Sequence, residues 1–397
     1  MLNFKVIGCG AAGNKAVIDL VESGYDINQV ILINSTPRDV PADYREKTII
    51  FGKGLGGCGK ERALGKKMLL EDLSKDKIIP DEMVSSRDKG VVLVGSTEGG
   101  SGSSAIPILA KYFREVVGVN VICILFFGFQ DDTRGLQNSI ELSQELSNDY
   151  GIIMISNAKF LRDANQNRYK AEKLANKKFI DIINILRGAT IRPSAVQVID
   201  DTDLYKIIYT PGYMMADSIT LTNLGVMEDF NSIIIDAMRS HKFINPPKEA
   251  GVKREGFIFN VEDSNDSIDY SVSCLVDIFG SPYEKFTNLA IGEDINGYTM
   301  DYILSGMKLP IEELTELYES YIESSKKVNK NGDDFFEKAA NMKGYAEDTQ
   351  FDMMSNAGKK KSKKDFFTSI NNFNSPPATE NITRPPVVQG NSMNDDY

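Results

Sequence analysis

Short apolar runs alternate with helix-like segments through the first half of the chain, and this alternation most narrows the possible folds. Residues 4–7, 30–33, 91–94, 121–127 and 152–155 have the composition of buried strands. Between them, apolar residues recur at the three- and four-residue spacing of a helix face. Strands separated by helices predict βαβ units, and therefore an α/β fold with a parallel sheet covered on both faces.

The second half of the chain mixes strands and helices less regularly, which indicates a second, smaller α/β domain. Its predicted helices lie at 203–209, 231–239 and 268–279, and its predicted strands at 257–261, 287–291 and 298–304. A strongly amphipathic helix follows. The predicted units are a first domain at 1–190 with a long central helix near its end, a second domain at 191–309, a C-terminal helix at 310–328, and a short helix with a flexible basic and polar tail at 329–397.

The composition excludes several kinds of active site. The 397 residues include one histidine, His241, and four cysteines, with no CxxC pair. A histidine-based triad, a histidine-rich metal site and a disulfide scaffold are therefore poor interpretations, and His241 is expected to be structural or on the surface. Isolated thiols favour a reducing cytoplasm. The longest apolar run, residues 121–129, is too short for a membrane span, and no signal peptide is expected.

The first glycine turn, residues 8–13, reads Gly-Cys-Gly-Ala-Ala-Gly and lies between a strand and a helix. The pattern G-x-G-x-x-G lets backbone N–H groups approach phosphate at a helix N-terminus. A dinucleotide site would also need an acidic residue at the end of the second strand, where this chain has Asn34. The alternative is a tight turn that simply needs small residues.

A second glycine turn, residues 54–61, matches G-x-x-x-x-G-K but has Glu61 where a phosphate loop carries serine or threonine. That hydroxyl would hold Mg²⁺, so we interpret the match as a false one. A flexible phosphate-facing loop and an ordinary mobile turn both remain open.

The third glycine turn, residues 95–107, is the most informative because it joins a buried strand to a helix. Its small residues permit close backbone approach, and its hydroxyls could donate to phosphate oxygens. Gly99-Gly100-Ser101-Gly102-Ser103 resembles the GGGTGTG loop of the tubulin/FtsZ superfamily of GTP-binding cytomotive proteins. Glu98 replaces that family's first glycine, and Ser104 its last.

Further segments match the family in register. Residues 126–134 resemble P-F-x-F-E-G-x-x-R, with Gln130 in place of glutamate and Arg134 retained; Asn157 and Asn176 match guanine-contacting positions. The expected nucleotide-contacting residues are Gly10, Ala11, Ala12 and Asn14 of the first turn, Gly57, Cys58 and Gly59 of the second, Thr97, Glu98, Gly99, Gly100, Ser101, Gly102 and Ser103 of the third, and Gln130, Arg134, Asn157 and Asn176 beyond them.

Asp200 and Asp203 fit the D-x-x-D part of the family's N-x-D-x-x-D segment, and the Gly-Tyr-Met-Met of residues 212–215 resembles its G-Y-A-M-M. One of these acids could simply cap the following helix. The resemblance implies a tubulin/FtsZ fold, bound GTP or GDP with Mg²⁺, and carboxylates that polarise water in the pocket of the next subunit. The first domain would then be the GTP-binding domain and the second the activation domain, and a head-to-tail contact of this kind builds filaments.

The ending of the chain resembles the TubZ branch, which segregates plasmid or phage DNA through a DNA-bound adaptor. The 45 basic and 56 acidic residues give a net charge of −11, which repels nucleic acid, so DNA contact needs a local basic patch or a partner. Residues 359–364 read KKKSKK and are a candidate adaptor or DNA contact, or else a solvated tail. No membrane partner is expected. The alternatives are an FtsZ-like division protein, a phage spindle tubulin, a non-hydrolysing scaffold and a Rossmann-type NAD-dependent oxidoreductase.

Overall fold

The computed structural model describes residues 1–53, 56–129, 131–146, 149–194, 197–326 and 366. The chain divides into Met1–Lys360 and Lys361–Tyr397, and the first unit holds every strand and helix named below. Within the described part of this unit, ten strands form one sheet in the order β3-β2-β1-β4-β5-β6-β7-β10-β8-β9.

The first half builds the parallel part of the sheet, as the alternation of strands and helices predicts. Its neighbouring strands all pair in parallel. The strands are β1 (Phe4–Cys9), β2 (Val30–Asn34), β3 (Thr48–Ile50), β4 (Gly90–Ser96), β5 (Val121–Phe127) and β6 (Gly151–Ser156). The helices are α1 (Gly10–Glu22), α2 (Arg62–Ser74), α3 (Gly100–Tyr112), α4 (Thr133–Leu146) and α5 (Arg168–Leu186).

The second half extends the same sheet. Strand β7 pairs in parallel with β6, while β10 is antiparallel to both β7 and β8. The strands are β7 (Gly212–Thr220), β8 (Arg254–Val261), β9 (Glu284–Ile291) and β10 (Tyr298–Met307), and the helices are α6 (Asp201–Ile208), α7 (Met227–Ser240), α8 (Val276–Phe279) and α9 (Ile311–Lys326). The sheet thus crosses residue 190, and the division into two domains stays a prediction.

The core lies on both faces of the parallel strands, which explains their continuous apolar sequences. Every residue of β1 and of β5 is buried. Side chains of the covering helices pack against these strands. For example, the rings of Phe126 on β5 and Phe179 on α5 meet edge to face, with their centroids 6.0 Å apart.

Two expectations in the second half are wrong or incomplete. The apolar spacing predicts one helix over residues 268–279, but only Val276–Phe279 is α-helical. The Asp269 carboxylate accepts from the backbone N–H groups of Ser271 and Ser273, and Val272 adopts a left-handed φ of 48°. This side-chain competition for backbone donors replaces the helix with a turn. The sequence pattern does not predict strand β7 at all.

The C-terminal helix is confirmed as α9, from Ile311 to Lys326. The predicted short helix and tail at 329–397 lie outside the described residues, apart from Phe366. No helix in the described part of the chain is both long and apolar enough to cross a membrane.

Candidate functional site

The loops that follow β1, β4, β5 and β6 meet at one edge of the sheet, because parallel strands end on the same side. Cys9, the last residue of β1, pairs with Ile33 of β2 and with Gly95 of β4. The chain continues from β1 to β2 on one side, while β4 lies on the other side. Ligands of open α/β sheets bind at the carboxyl edge beside such a reversal of strand order.

The first and third glycine turns contact each other directly at this point. Gly10 has a φ of +73°, and a Cβ there would lie 2.8 Å from the Gly102 nitrogen. A Cβ on Gly102 would lie 2.6 Å from the carbonyl oxygen of Cys9. The two backbones therefore touch only because both side chains are absent, and this packing explains the glycines of both turns.

Both turns lead straight into helices, so their N-terminal N–H groups face the carboxyl edge. Helix α1 begins at Gly10 and includes Ala11 and Ala12 in its first turn. Helix α3 begins at Gly100, and Gly99 is its N-cap. Neither N-cap makes a side-chain hydrogen bond. The N–H groups in the first turn of each helix have no partner within that helix, so together with the helix dipoles they could hold an anion at this edge.

The hydroxyls of the third turn mostly bond to the protein itself. Ser103 Oγ donates to the Gly99 carbonyl, and Thr97 Oγ1 accepts from Ser139 Oγ at 2.7 Å. Ser101 Oγ lies 2.5 Å from Ser35 Oγ of the loop after β2. Ser103 and Thr97 can therefore meet a ligand through their backbone rather than through their hydroxyls.

Three amide side chains with unused hydrogen-bonding atoms lie at this edge. Asn14 is 1% exposed, and neither its Nδ2 nor its Oδ1 has a partner among the described residues. Asn34 Nδ2 and Asn157 Oδ1 are also buried atoms without a partner among the described residues. A buried amide without a partner costs about 1–3 kcal/mol. Atoms of this kind indicate a polar ligand that completes their hydrogen bonds.

The second glycine turn packs against the third. A Cβ on Gly100 would lie 2.8 Å from Cys58 Cβ, and Asn138 Nδ2 donates to the carbonyls of both Lys60 and Glu98 at 3.0 Å. Gly57 and Gly59 have φ values of 124° and 56°, while Gly54 and Leu55 lie outside the described residues. Sequence reasoning missed Asn138, which no local motif marks.

The lysine of the second turn forms an ion pair with the loop after β5. Lys60 Nζ pairs with the Asp132 carboxylate at 2.7 Å. The interpretation of the G-x-x-x-x-G-K match as a false one stays a prediction. The buried thiol of Cys58 and that of Cys9, whose pKa burial raises to about 12, act as small apolar groups.

The loop after β5 and the start of α4 lie against Glu98, and Arg134 is in the first turn of α4. Gly128 and Gly135 leave room for the Glu98 side chain, since a Cβ on either would lie within 3.1 Å of it. Arg134 Nη2 pairs with Glu61 at 2.8 Å, and its buried Nε has no partner within the described ranges. Gln130 lies outside the described residues.

Asn176, the second predicted guanine contact, is bound to a neighbouring helix. Its Nδ2 donates to the Asp19 carboxylate of α1 at 2.6 Å, and Lys173 pairs with the same carboxylate at 2.8 Å. The amide oxygen of Asn176 is therefore the atom through which it could read a base.

Asp200 and Asp203 lie at the opposite, amino edge of the sheet. Asp200 is exposed and caps α6, where its Oδ1 accepts from the Asp203 N–H at 2.8 Å, so the capping interpretation holds for Asp200. Along α6, Asp201 pairs with the N-terminal amine at 3.4 Å, Tyr205 bonds to Asn120, and Tyr209 donates to the Lys89 carbonyl at 3.1 Å. Met1, Lys89 and Asn120 come just before β1, β4 and β5, so one strand length of roughly 20 Å separates these carboxylates from the glycine turns.

No cluster of three or more His, Cys, Asp or Glu side chains suited to a metal occurs among the residues that the structure describes. His241 is buried at the end of α7, where its Nδ1 accepts from the Phe243 N–H at 3.2 Å. Its position is that of a structural residue.

Residues 3–165 match the family model for the GTPase domain of the Tubulin/FtsZ family. The cell division protein FtsZ of Mycoplasmopsis pulmonis is 30% identical over 165 residues, which cover 40% of this chain and 40% of that protein. The chain thus aligns with less than half of the length of this curated relative.

Solved structures resemble the whole described fold. A GTPγS-form protofilament of TubZ from Bacillus thuringiensis serovar israelensis gives a TM-score of 0.64 at 16% identity, covering 82% of this chain and 94% of that one. CetZ from Methanosaeta thermophila gives 0.60 at 18% identity, covering 94% and 99%. The predicted tubulin/FtsZ fold is thereby confirmed.

Proposed function

Because residues 3–165 match the family model for the GTPase domain of the Tubulin/FtsZ family, we propose that this chain binds and hydrolyses GTP at the carboxyl edge of its sheet. The backbone N–H groups at the starts of α1 and α3 would hold the phosphates. Asn14, buried with both amide atoms unused among the described residues, would bond to the nucleotide. An amide has both donor and acceptor atoms, which suits Asn157 and Asn176 to a guanine edge.

Mg²⁺ would bind mainly to phosphate oxygens and water, as it does at many nucleotide sites. It would supply charge neutralisation during phosphoryl transfer. The chain's own contribution is positioning, because the glycine turns let two helix N-termini come close to one ligand. Asn34, buried at the end of β2 where a dinucleotide site would need a carboxylate, speaks against the oxidoreductase alternative.

The observation that carries the proposal of self-assembly is the placement of the carboxylates and the glycine turns at opposite edges of one sheet. Asp200 and Asp203 are too far from their own subunit's glycine turns to act on a nucleotide there. Stacking two copies head to tail would bring the amino edge of one against the carboxyl edge of the next. Such a contact is heterologous and open, so it continues into a filament whose hydrolysis depends on assembly.

Exchanging Asp200 for asparagine tests this role without removing the helix cap, since asparagine and aspartate cap equally well. We expect Asp200→Asn to pellet with GTP as the wild type does but to release phosphate at least about tenfold more slowly, through lost polarisation of water. Pelleting with GTP, GDP and NAD, together with a phosphate-release assay, measures both steps. Unchanged turnover would show that Asp200 has no role in hydrolysis. Pelleting that does not depend on GTP would contradict the proposed GTP-dependent filament.

We further propose that the filament segregates plasmid or phage DNA through a DNA-binding adaptor that engages the tail. The support is the basic cluster at 359–364 within an otherwise acidic chain. Replacing its lysines with serine should leave GTP-dependent pelleting intact and abolish co-sedimentation of adaptor-bound DNA. The matched control replaces the same number of lysines elsewhere in the chain, at exposed positions outside the tail.

A division filament is the second candidate, because the 30% identical relative is a cell division protein. Fluorescent fusions in the native host separate the two functions. A ring at the division site would favour division, whereas filaments that move with a DNA focus would favour segregation.

A further inference from the structure

Helix α3, which follows the third glycine turn, contains a proline that leaves one carbonyl without its usual partner. Pro107 lies in the interior of α3. It has no backbone N–H, so the carbonyl four residues earlier, that of Ser103, lacks its helical hydrogen bond. Ser103 stands in the first turn of α3, directly beside the N–H groups that face the carboxyl edge of the sheet.

Arg62 of helix α2 supplies the missing donors. Its Nη2 and Nε lie 3.1 and 3.4 Å from the Ser103 carbonyl oxygen. Its side chain is 3% exposed and also pairs with Glu141 at 2.8 Å and Glu145 at 2.7 Å, both on α4. A further bond from Nη1 to Glu145 Oε1 at 3.2 Å brings all five N–H donors of the guanidinium into use, in a fork that lysine cannot reproduce.

We propose that Arg62 is a positioning residue for the nucleotide site: it replaces the backbone donor that Pro107 lacks and so holds the first turn of α3 in its phosphate-binding geometry. This proposal rests on the proposed function of that edge. The two carboxylates on α4 neutralise the buried guanidinium and fix its plane. The Ser103 Oγ bond to the Gly99 carbonyl and the Ser104 Oγ bond to the Ser101 carbonyl, at 3.0 Å, tighten the same turn.

A double-mutant experiment isolates this role. Arg62→Lys keeps the charge but loses the fork, so we expect GTP affinity to fall by about tenfold, the size of one charge-assisted hydrogen bond. Pro107→Ala alone should leave affinity unchanged, since it adds a helical N–H to a carbonyl that has two lone pairs. The double variant Arg62→Lys/Pro107→Ala should recover most of the loss, because the backbone N–H that alanine restores then satisfies the Ser103 carbonyl.

The readouts are binding of a fluorescent GTP analogue, urea unfolding, and hydrogen exchange at residues 100–104. Arg254→Lys is the matched control, because it makes the same exchange at another ion-paired arginine, on β8, whose partner Glu284 lies 2.5 Å away. It should lower stability without changing GTP affinity. An Arg62→Lys variant that loses stability but keeps wild-type affinity, or a double variant with no recovery, would overturn the proposal.

The exchange measurement separates this proposal from the proposed function. If the wild type binds no GTP, the function proposed above fails. Faster exchange at residues 100–104 in Arg62→Lys, reversed by Pro107→Ala, would still support the positioning of this turn. Exchange that is the same in all variants would overturn it.

Discussion

At the scale of single residues, the candidate site depends on glycines, which have no side chain and so allow helices and strands to pack closely. Gly13 on α1 faces the end of β4, where a Cβ would lie 2.1 Å from the Val94 carbonyl oxygen. The obstacle is backbone in the middle of the sheet, which cannot move aside. Helix α1 can therefore lie close to β4 only with glycine at this position, and its N-terminus is aimed at the carboxyl edge as a result.

Gly13→Ala is expected to destabilise the protein by about 3 kcal/mol, the upper end of the cost of overpacking. Gly99→Ala is the matched control, because a Cβ at Gly99 would have no protein atom within 4 Å. Urea unfolding followed by circular dichroism measures both. Equal stability of the two variants would show that the α1–β4 contact is looser than the structure indicates.

The buried histidine makes stability depend on pH. Burial, followed by the nearby Lys159 ammonium, lowers the pKa of His241 from 6.5 to about 4. Between those values the unfolded chain binds a proton that the folded chain does not, so stability falls as the pH drops below about 6.5. Each pH unit in that window costs up to about 1.4 kcal/mol.

His241→Asn retains an acceptor for the Phe243 N–H but does not titrate. The wild type should lose more unfolding free energy than this variant between pH 7.5 and pH 5.5, by about 1 kcal/mol. Urea titrations at the two pH values provide the comparison, and the carboxylates common to both proteins cancel. The same loss in both proteins would mean that His241 titrates normally in the folded state.

At the scale of elements, the sequence pattern predicts the long periodic segments and misses those decided by single contacts. Helix α9 was predictable because its apolar stripe spans four turns, and Leu314, Tyr318 and Ile322 are indeed buried. The false helix at 268–279 has apolar spacing too, but the Asp269 turn overrides it. The sequence pattern did not predict strand β7, because this strand forms by pairing with β6 and β10, which are distant in sequence.

Helix α9 packs against α4, and we expect this contact to stabilise the half of the sheet that carries the glycine turns. Tyr321 donates to the Asp131 carbonyl at 2.5 Å, in the loop after β5. Leu314 is 2% exposed, so Leu314→Ala should cost about 3 kcal/mol by leaving a cavity. The exposed Glu316→Ala should change stability by less than about 0.5 kcal/mol. Equal unfolding midpoints for both variants would contradict the docking of α9.

At the scale of the whole molecule, the position of the candidate site was predictable from the sequence, whereas the proposal that two subunits share the site came from the family resemblance. Glycine turns after strands indicate the carboxyl edge, because parallel strands must end together. Asn14 lies in the first of these turns, whereas Asn157 was predicted from the resemblance to the tubulin/FtsZ superfamily. The opposite placement of Asp200 becomes visible only in three dimensions, through the contacts of α6 with Lys89 and Asn120. Arg62 and Asn138 carry no local signal, since their partners lie on other elements.

We propose that this chain hydrolyses GTP only when one copy completes the site of another. Phosphate release per subunit, measured across a range of protein concentrations with the pelleted fraction recorded in parallel, tests it most directly. We predict that turnover stays near zero at low concentration and rises together with the pelleted fraction above a threshold. A turnover per subunit that is constant across all concentrations, with no GTP-dependent pellet, would contradict hydrolysis that depends on assembly.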